Sequence, residues 1–199
     1  MPKEFFEKLI YGGGLFFDLS KWIIVVVVAL MIINNFWFTI FVVDGSSMEP
    51  NLHDGEVVLL DKTFVRSSAK PQRGEAVVIK YPGDPEQKRY VKRVIGLPGE
   101  FVQIEQSKIY INNKQLKESY IPIGYSTYPD GRWSLKKGEY FLMGDNRENS
   151  NGSRYFGAVE ERFFIGKATS VILPSPREMY LPNYNLTLAS DSKESKNAD

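Results

Sequence analysis

The distribution of apolar residues divides this chain into two unlike parts. Residues 22–33 are unbroken apolar, Asn34 and Asn35 interrupt, and residues 36–43 resume with a single threonine, Thr39. As one helix, residues 22–43 would span roughly 33 Å, enough for a hydrocarbon core of about 30 Å. A run ending at Ile33 would instead suit the apolar core of a cleavable signal, but Asn34-Asn35-Phe36-Trp37 follows, not a small-x-small site. The pattern predicts a retained transmembrane anchor over 22–43, with the asparagine pair facing a partner helix, a water pocket or the interface. Residues 1–21 read as a short lead-in broken at Gly12-Gly13-Gly14. Phe5, Phe6, Phe16 and Phe17 either lie at the membrane surface or extend the helix. Lys3, Lys8 and Lys21 precede the apolar run, so the positive-inside rule puts the N-terminus in the cytoplasm and residues 44–199 outside.

Past residue 43 the period shortens. Runs at 56–61, 75–80, 89–95, 101–105, 108–111, 139–143 and 165–173 are short, rich in Val, Ile, Leu and Phe, and bounded by turn residues. Asn112-Asn113 marks a hairpin. No helical pattern stands out between 44 and 173, so the reading is an all-β ectodomain behind one N-terminal helix. Residues 106–137 carry Tyr110, Tyr120, Tyr125, Tyr128 and Trp133, read as the small core of their own segment. From 174 the chain turns loop-like, and 189–199 is short, polar and charged, the composition of a disordered tail.

Composition mainly excludes. A formal charge of +1 over 199 residues gives no electrostatic footprint for nucleic acid. The absence of cysteine removes disulfides, thiol catalysis and thiolate metal sites, and one histidine is too few for a His-based metal site. That histidine, His53, sits in the turn Leu52-His53-Asp54-Gly55 and reads as a solvated turn residue.

Three segments carry candidate chemistry. The first is Val43-Asp44-Gly45-Ser46-Ser47-Met48-Glu49-Pro50-Asn51-Leu52, immediately after the apolar run. The second is Tyr90-Val91-Lys92-Arg93-Val94-Ile95-Gly96-Leu97-Pro98-Gly99-Glu100, and the third is Gly144-Asp145-Asn146-Arg147-Glu148-Asn149-Ser150-Asn151-Gly152-Ser153-Arg154. Each alone is an ordinary turn or strand. Together, in this order and behind an anchor, they resemble the bacterial type I signal peptidases, the Ser–Lys dyad family with a fold shared by self-cleaving repressors. The resemblance covers roughly residues 20–173.

Serine can attack an amide only if a base removes its proton, and no His–Asp pair or Gly-x-Ser-x-Gly elbow is available. Lysine can serve if burial brings its pKa from about 10.4 to roughly 7–8. Lys92 lies among Val91 and Val94, although alternation alone does not say whether it or Arg93 points inward. The resemblance implies Ser47 as nucleophile and Lys92 as general base. It implies Ser150 as the hydroxyl that orients the base, Asp145 and Arg154 as bracing residues, and the Ser47 N–H as oxyanion donor. Two departures stand out. Gly152 occupies a position where the family usually has an aspartate facing the arginine, and Gly45 removes a serine hydroxyl that some members add to the oxyanion site. Asn51 replaces a usual threonine or alanine and reads as tolerable variation.

The resemblance further implies an extended substrate pairing beside Phe41–Gly45 and Tyr90–Lys92, its −1 and −3 side chains facing the enzyme together. Val43, Leu52, Tyr90 and Val91 would line the first pocket, with Phe41 and Val43 near the second, favouring small residues. The implied layout is lead-in 1–21, anchor 22–43, catalytic β core 44–105 with 138–173, insertion 106–137, and loop and tail 174–199. The implied activity is removal of signal peptides from secreted preproteins, without cofactor or metal. The enzyme would act at the outer face of the inner (cytoplasmic) membrane, with preproteins and lipid as partners and room for the secretion translocon. A self-cleaving repressor would need a DNA-binding helical domain in place of the anchor. A membrane-tethered module that merely binds peptides is the alternative outside enzymes, and Ser47, Lys92 and Ser150 speak against it.

Overall fold

A computed structural model describes residues 3–63, 70–86, 88–182 and 185–188, with 3–17 and 185–188 described as backbone only. The Phe5, Phe6, Phe16 and Phe17 side chains and the expected tail at 189–199 lie outside what is described. The chain divides into two compact units, Met1–Phe38 and Thr39–Asp199.

The first unit is one helix, α1 (Lys3–Phe36), closed by a last-turn bond from Trp37 N–H to the Ile33 carbonyl at 2.8 Å. It runs unbroken through Gly12-Gly13-Gly14, so the glycine triplet is not a break. Its span Asp18–Phe36 is long and apolar enough to cross a membrane, and its side chains are almost all exposed. The single helix expected over 22–43 stops at Phe36. Asn34 and Asn35 stay helical, and the apolar residues after them turn extended. Strand β1 (Phe38–Val42) exposes Phe38, Ile40 and Val42 and half-buries Thr39 and Phe41. That two-residue alternation suits β-branched and aromatic side chains packed on one face only.

The second unit is all-β with two sheets. The first carries β2 (Val57–Asp61), β3 (Ala76–Lys80), β4 (Arg89–Gly96), β9 (Glu139–Met143), β10 (Val159–Glu160), β11 (Phe164–Leu173) and β12 (Arg177–Glu178), together with β1. Its order is β1-β2-β11-β3-β4-β9-β10, with β12 paired to β11. The second is ordered β13-β7-β6-β5-β8, built from β5 (Phe101–Glu105), β6 (Lys108–Ile111), β7 (Lys114–Lys117), β8 (Gly131–Ser134) and β13 (Asn185–Leu188). The segment expected as an insertion is thus tied into a sheet that borrows 101–105 before it and 185–188 from the region expected to be loop. A short helix, α2 (Ser153–Phe156), and a single 3-10 turn (Glu161–Phe163) interrupt the β structure. Each is too short to leave a periodic signature in the sequence.

Strand β4 is central. It pairs antiparallel with β3 (Val77 opposite Lys92, Ala76 opposite Arg93) and with β9 (Arg93 opposite Met143, Val94 opposite Leu142), slipping before Gly96. It also feeds three apolar clusters, through Val91 with Met48 and Leu52, Val94 with Tyr140 and Leu142, and Ile95 with Val102 and Phe141. A strand flanked on both edges and buried on both faces has no freedom of register. The side chains at 92 and 93 are fixed accordingly.

Candidate active site

Ser47 is presented by a turn nailed down from below. Met48 and Leu52 are completely buried in the core. Leu52 N–H and Asn51 N–H both donate to the Met48 carbonyl, at 2.9 and 3.0 Å, and Gly45 N–H donates to Asp54 Oδ1 at 2.7 Å. Such a turn holds its half-buried serine still. Lys92 comes from the middle of β4 and is 1% exposed. Its Nζ donates to Ser47 Oγ at 2.8 Å. Burial pushes the lysine pKa down to about 8; the Asp145 carboxylate opposes the fall and the Arg154 guanidinium adds to it. A hydroxyl thus meets an amine that is neutral in a substantial fraction of molecules near pH 8, the pairing general-base catalysis needs.

The neighbouring Arg93 is also buried, facing a different partner. Its Nε and one terminal nitrogen clamp Asp145 at 2.8 and 2.5 Å, with both side chains fully out of solvent. Alternation left Lys92 and Arg93 undecided; the structure buries both. A buried guanidinium needs every donor satisfied, and Arg93 also donates to the Gly74 and Tyr180 carbonyls.

Strand β9 leads directly into the third segment. Gly144 sits where the first and third segments touch, and a Cβ there would lie 2.1 Å from Ser150 Oγ and 2.3 Å from the Ser47 carbonyl. Asn146 then stitches the segments, its N–H donating to the Ser47 carbonyl at 3.1 Å and its amide to the Ser46 carbonyl at 3.2 Å. Asn149 donates to Ser46 Oγ at 3.0 Å. A cleft of about 350 Å³ opens at this junction, lined among others by Asp44, Ser47, Tyr90, Lys92, Glu148 and Ser150. Ser150 is buried, and its hydroxyl has no hydrogen-bond partner among the described residues. The bond to the Lys92 amine that the resemblance implied is therefore not formed in this structure. His53 is exposed in its turn.

The remaining expected residues fall as follows. Tyr90 lines the cleft, whereas Val43, Leu52 and Val91 lie inside the core cluster and Phe41 packs against it. Arg154 donates to the Arg147 carbonyl at 2.6 Å, to the Ser150 carbonyl at 3.1 Å, and to the Tyr128 carbonyl. It braces the loop through backbone oxygens, in keeping with Gly152. A Cβ at Gly152 would lie 2.7 Å from the Leu142 carbonyl oxygen, leaving no room for an aspartate.

Sequence reasoning missed several contributors. Asn51, read as tolerable variation, donates to Asp145 Oδ2 at 3.0 Å. Arg147 is 1% exposed and pairs with Glu118 through two bonds of 2.6 Å. Tyr120, assigned to the insertion's own core, stacks on Arg93 with the guanidinium 4.7 Å from the ring centre. Arg147 stood in the third segment and Glu118 among the aromatics of 106–137, and nothing in the chain order pairs residue 118 with residue 147. Trp133, by contrast, does pack with the second sheet's cluster, against Phe141.

A serine hydroxyl set against a buried lysine in an all-β domain, in a chain that also carries an apolar membrane-length helix, is chemistry for a membrane-anchored serine hydrolase. The family model described as "Signal peptidase, peptidase S26" matches residues 16–173. A signal peptidase I of Bacillus licheniformis is 38% identical over 178 residues, covering 84% of this chain and 94% of its own. Signal peptidase I T of Bacillus subtilis strain 168 is 38% identical over 169 residues, covering 80% and 86% respectively. A solved signal peptidase I from Enterococcus faecalis V583 is 33% identical and aligns over 52% of this chain and 100% of its own, with a TM-score of 0.45. The chain belongs to the signal peptidase family, peptidase family S26, and is a serine peptidase.

Proposed function

We propose that this protein removes signal peptides from secreted preproteins by a Ser47–Lys92 dyad, at the outer face of the cytoplasmic membrane. The observation that carries the reading is the 2.8 Å contact between Lys92 Nζ and Ser47 Oγ at the floor of a cleft. Neutral Lys92 accepts the hydroxyl proton as Ser47 Oγ attacks the scissile carbonyl carbon. The Ser47 N–H stabilises the oxyanion. The protonated lysine then gives its proton to the leaving amine of the mature chain, leaving an acyl-enzyme. In the second half Lys92 takes a proton from water, whose oxygen attacks the ester, and returns that proton to Ser47 as the freed signal peptide departs. Ser150 Oγ is buried beside this line and, once substrate orders the site, holds the amine toward Ser47.

Specificity for small residues at −1 and −3 follows from an extended substrate lying along Asp44, Gly45 and Tyr90. The apolar ground there is Val43, Leu52 and Val91, with Phe41 packed against them. A tightly packed cluster yields little, so small side chains fit and large ones meet core atoms. On this reading the first sheet is the catalytic core and the second sheet the insertion. The helix anchors the chain in the membrane with the N-terminus in the cytoplasm, and preproteins reach the enzyme as they emerge from the translocon. Turnover of a preprotein by the purified full chain tests the reading. Ser47→Ala and Lys92→Ala each abolish cleavage, and His53→Ala leaves it near wild type. Cleavage that survives Ser47→Ala would overturn it.

A further inference from the structure

Arg147 and Glu118 form a buried device that the dyad chemistry does not require. Arg147 stands three residues before Ser150 and is 1% exposed. Both of its terminal nitrogens donate to the Glu118 carboxylate at 2.6 Å, and its Nε donates to the Gly144 carbonyl at 3.1 Å. Its own carbonyl accepts from Arg154, which also holds the Ser150 carbonyl. Burial works against the Arg147 charge, and the Glu118 carboxylate, with Tyr120 and Asp145, together more than offset it. The Tyr120 hydroxyl completes the unit, donating to Glu118 at 2.6 Å and accepting from Arg147 at 3.1 Å.

The two ends of this unit belong to different parts of the fold. Glu118 and Tyr120 follow β7 of the second sheet, while Ser150 Oγ and the Ser47 carbonyl both crowd the space a Cβ on Gly144 would take. A bidentate carboxylate–guanidinium pair fixes direction as well as distance. Tied to the Gly144 carbonyl through Arg147 Nε, while Arg154 holds the Arg147 and Ser150 carbonyls, it sets where the third segment lies against the first.

We propose that Glu118 is a positioning residue for the Ser47–Lys92 reaction, acting through Arg147 to hold the Ser150 loop against the nucleophile's turn. The second sheet, by this inference, is one jaw of the clamp on the catalytic loop. Removing the carboxylate frees Arg147, loosens Gly144 and displaces the reacting groups by a fraction of an ångström, while the Asp44–Tyr90 side of the cleft keeps its shape. Misplacement of that order costs up to about 100-fold in rate. The inference rests on the dyad reading, which the Ser47→Ala control tests separately.

The experiment uses the full chain in detergent micelles with a preprotein substrate, scoring kcat and KM per folded molecule and Tm for each variant. Glu118→Ala lowers kcat by about 10- to 100-fold with KM within about twofold of wild type. Glu118→Asp, which keeps the charge, recovers more of kcat than Glu118→Gln, which sets an amide donor against the guanidinium. Tyr120→Phe removes only the bridging hydroxyl and serves if Glu118→Ala does not fold; it lowers kcat by about two- to fivefold at unchanged KM. Unchanged kcat per folded molecule in Glu118→Gln and Tyr120→Phe would overturn the inference. So would a deficit confined to KM or to the folded fraction, or equal activity of the Asp and Gln variants. Loss of the dyad reading would instead appear as turnover by Ser47→Ala.

Discussion

Replacing Lys92 by methionine should make this protein more stable at neutral pH while abolishing its activity. The lysine is almost wholly buried, and its pKa falls from 10.5 to about 8. In the unfolded chain the amine stays protonated up to about pH 10.4, so folding at pH 7 places an ammonium where burial disfavours it. The drop corresponds to about 3 kcal/mol against folding. Methionine has a similar volume and no charge to desolvate, and it forfeits the hydrogen bond to Ser47, worth about 1 kcal/mol. A net gain of about 2 kcal/mol remains, or about 4–8 °C in Tm for a chain of this size. The sign across pH follows from proton counting. Between about pH 8 and 10.5 the unfolded state binds more protons than the folded state, so wild-type stability rises with pH. Below that window the penalty is complete, and above it the penalty vanishes. Thermal unfolding of both proteins in the same micelles at pH 7 and pH 10 measures the gap. A methionine variant less stable at pH 7, or a gap that does not narrow at pH 10, would refute the reasoning.

Further outcomes follow from the same geometry. Gly144→Ala should cut kcat by about 100-fold, because its Cβ would fall 2.1 Å from Ser150 Oγ and 2.3 Å from the Ser47 carbonyl; wild-type kcat would show that the two segments need not touch. Gly152→Asp, which restores the residue usual in the family, should destabilise by about 1–3 kcal/mol, measured by chemical denaturation, because backbone oxygen already fills the space its Cβ needs; a stabilised variant would mean that Arg154 can be recruited as its partner. In alkaline carbonate the protein should stay with membranes, with protease reaching residues beyond α1 only from the outer face; digestion from the cytoplasmic side would reverse the orientation.

The strands were legible where each had its own apolar alternation and turn: the runs at 56–61, 75–80, 89–95 and 139–143 differ from β2, β3, β4 and β9 by at most a residue at either end. What stayed hidden had a physical cause in each case. β1 disappeared into the apolar run that also makes the helix, since Val, Ile and Phe serve a membrane span and an exposed-edge strand equally. β13 is paired across the sheet with β7, which sequence proximity cannot announce. Within the candidate site, local sequence supplied Ser47 and Lys92 as chemistry and could not orient Lys92 against Arg93. A central strand buried on both faces gives one to the nucleophile and the other to Asp145. The Glu118–Arg147 pair was out of reach because its partners lie in loops that follow strands of different sheets.

The central claim is that Lys92, buried and neutral once pH exceeds its lowered pKa of about 8, is the base for Ser47. The pH dependence of kcat/KM in the free enzyme tests it most directly, measured for wild type, His53→Ala and a Val91 variant that admits water beside the lysine. Activity should rise through a single limb near pH 8, the value to which burial brings the lysine. That limb should be unchanged in His53→Ala and move to higher pH in Val91→Thr. A limb that disappears with His53, or stays fixed when Val91 is made polar, would contradict the account.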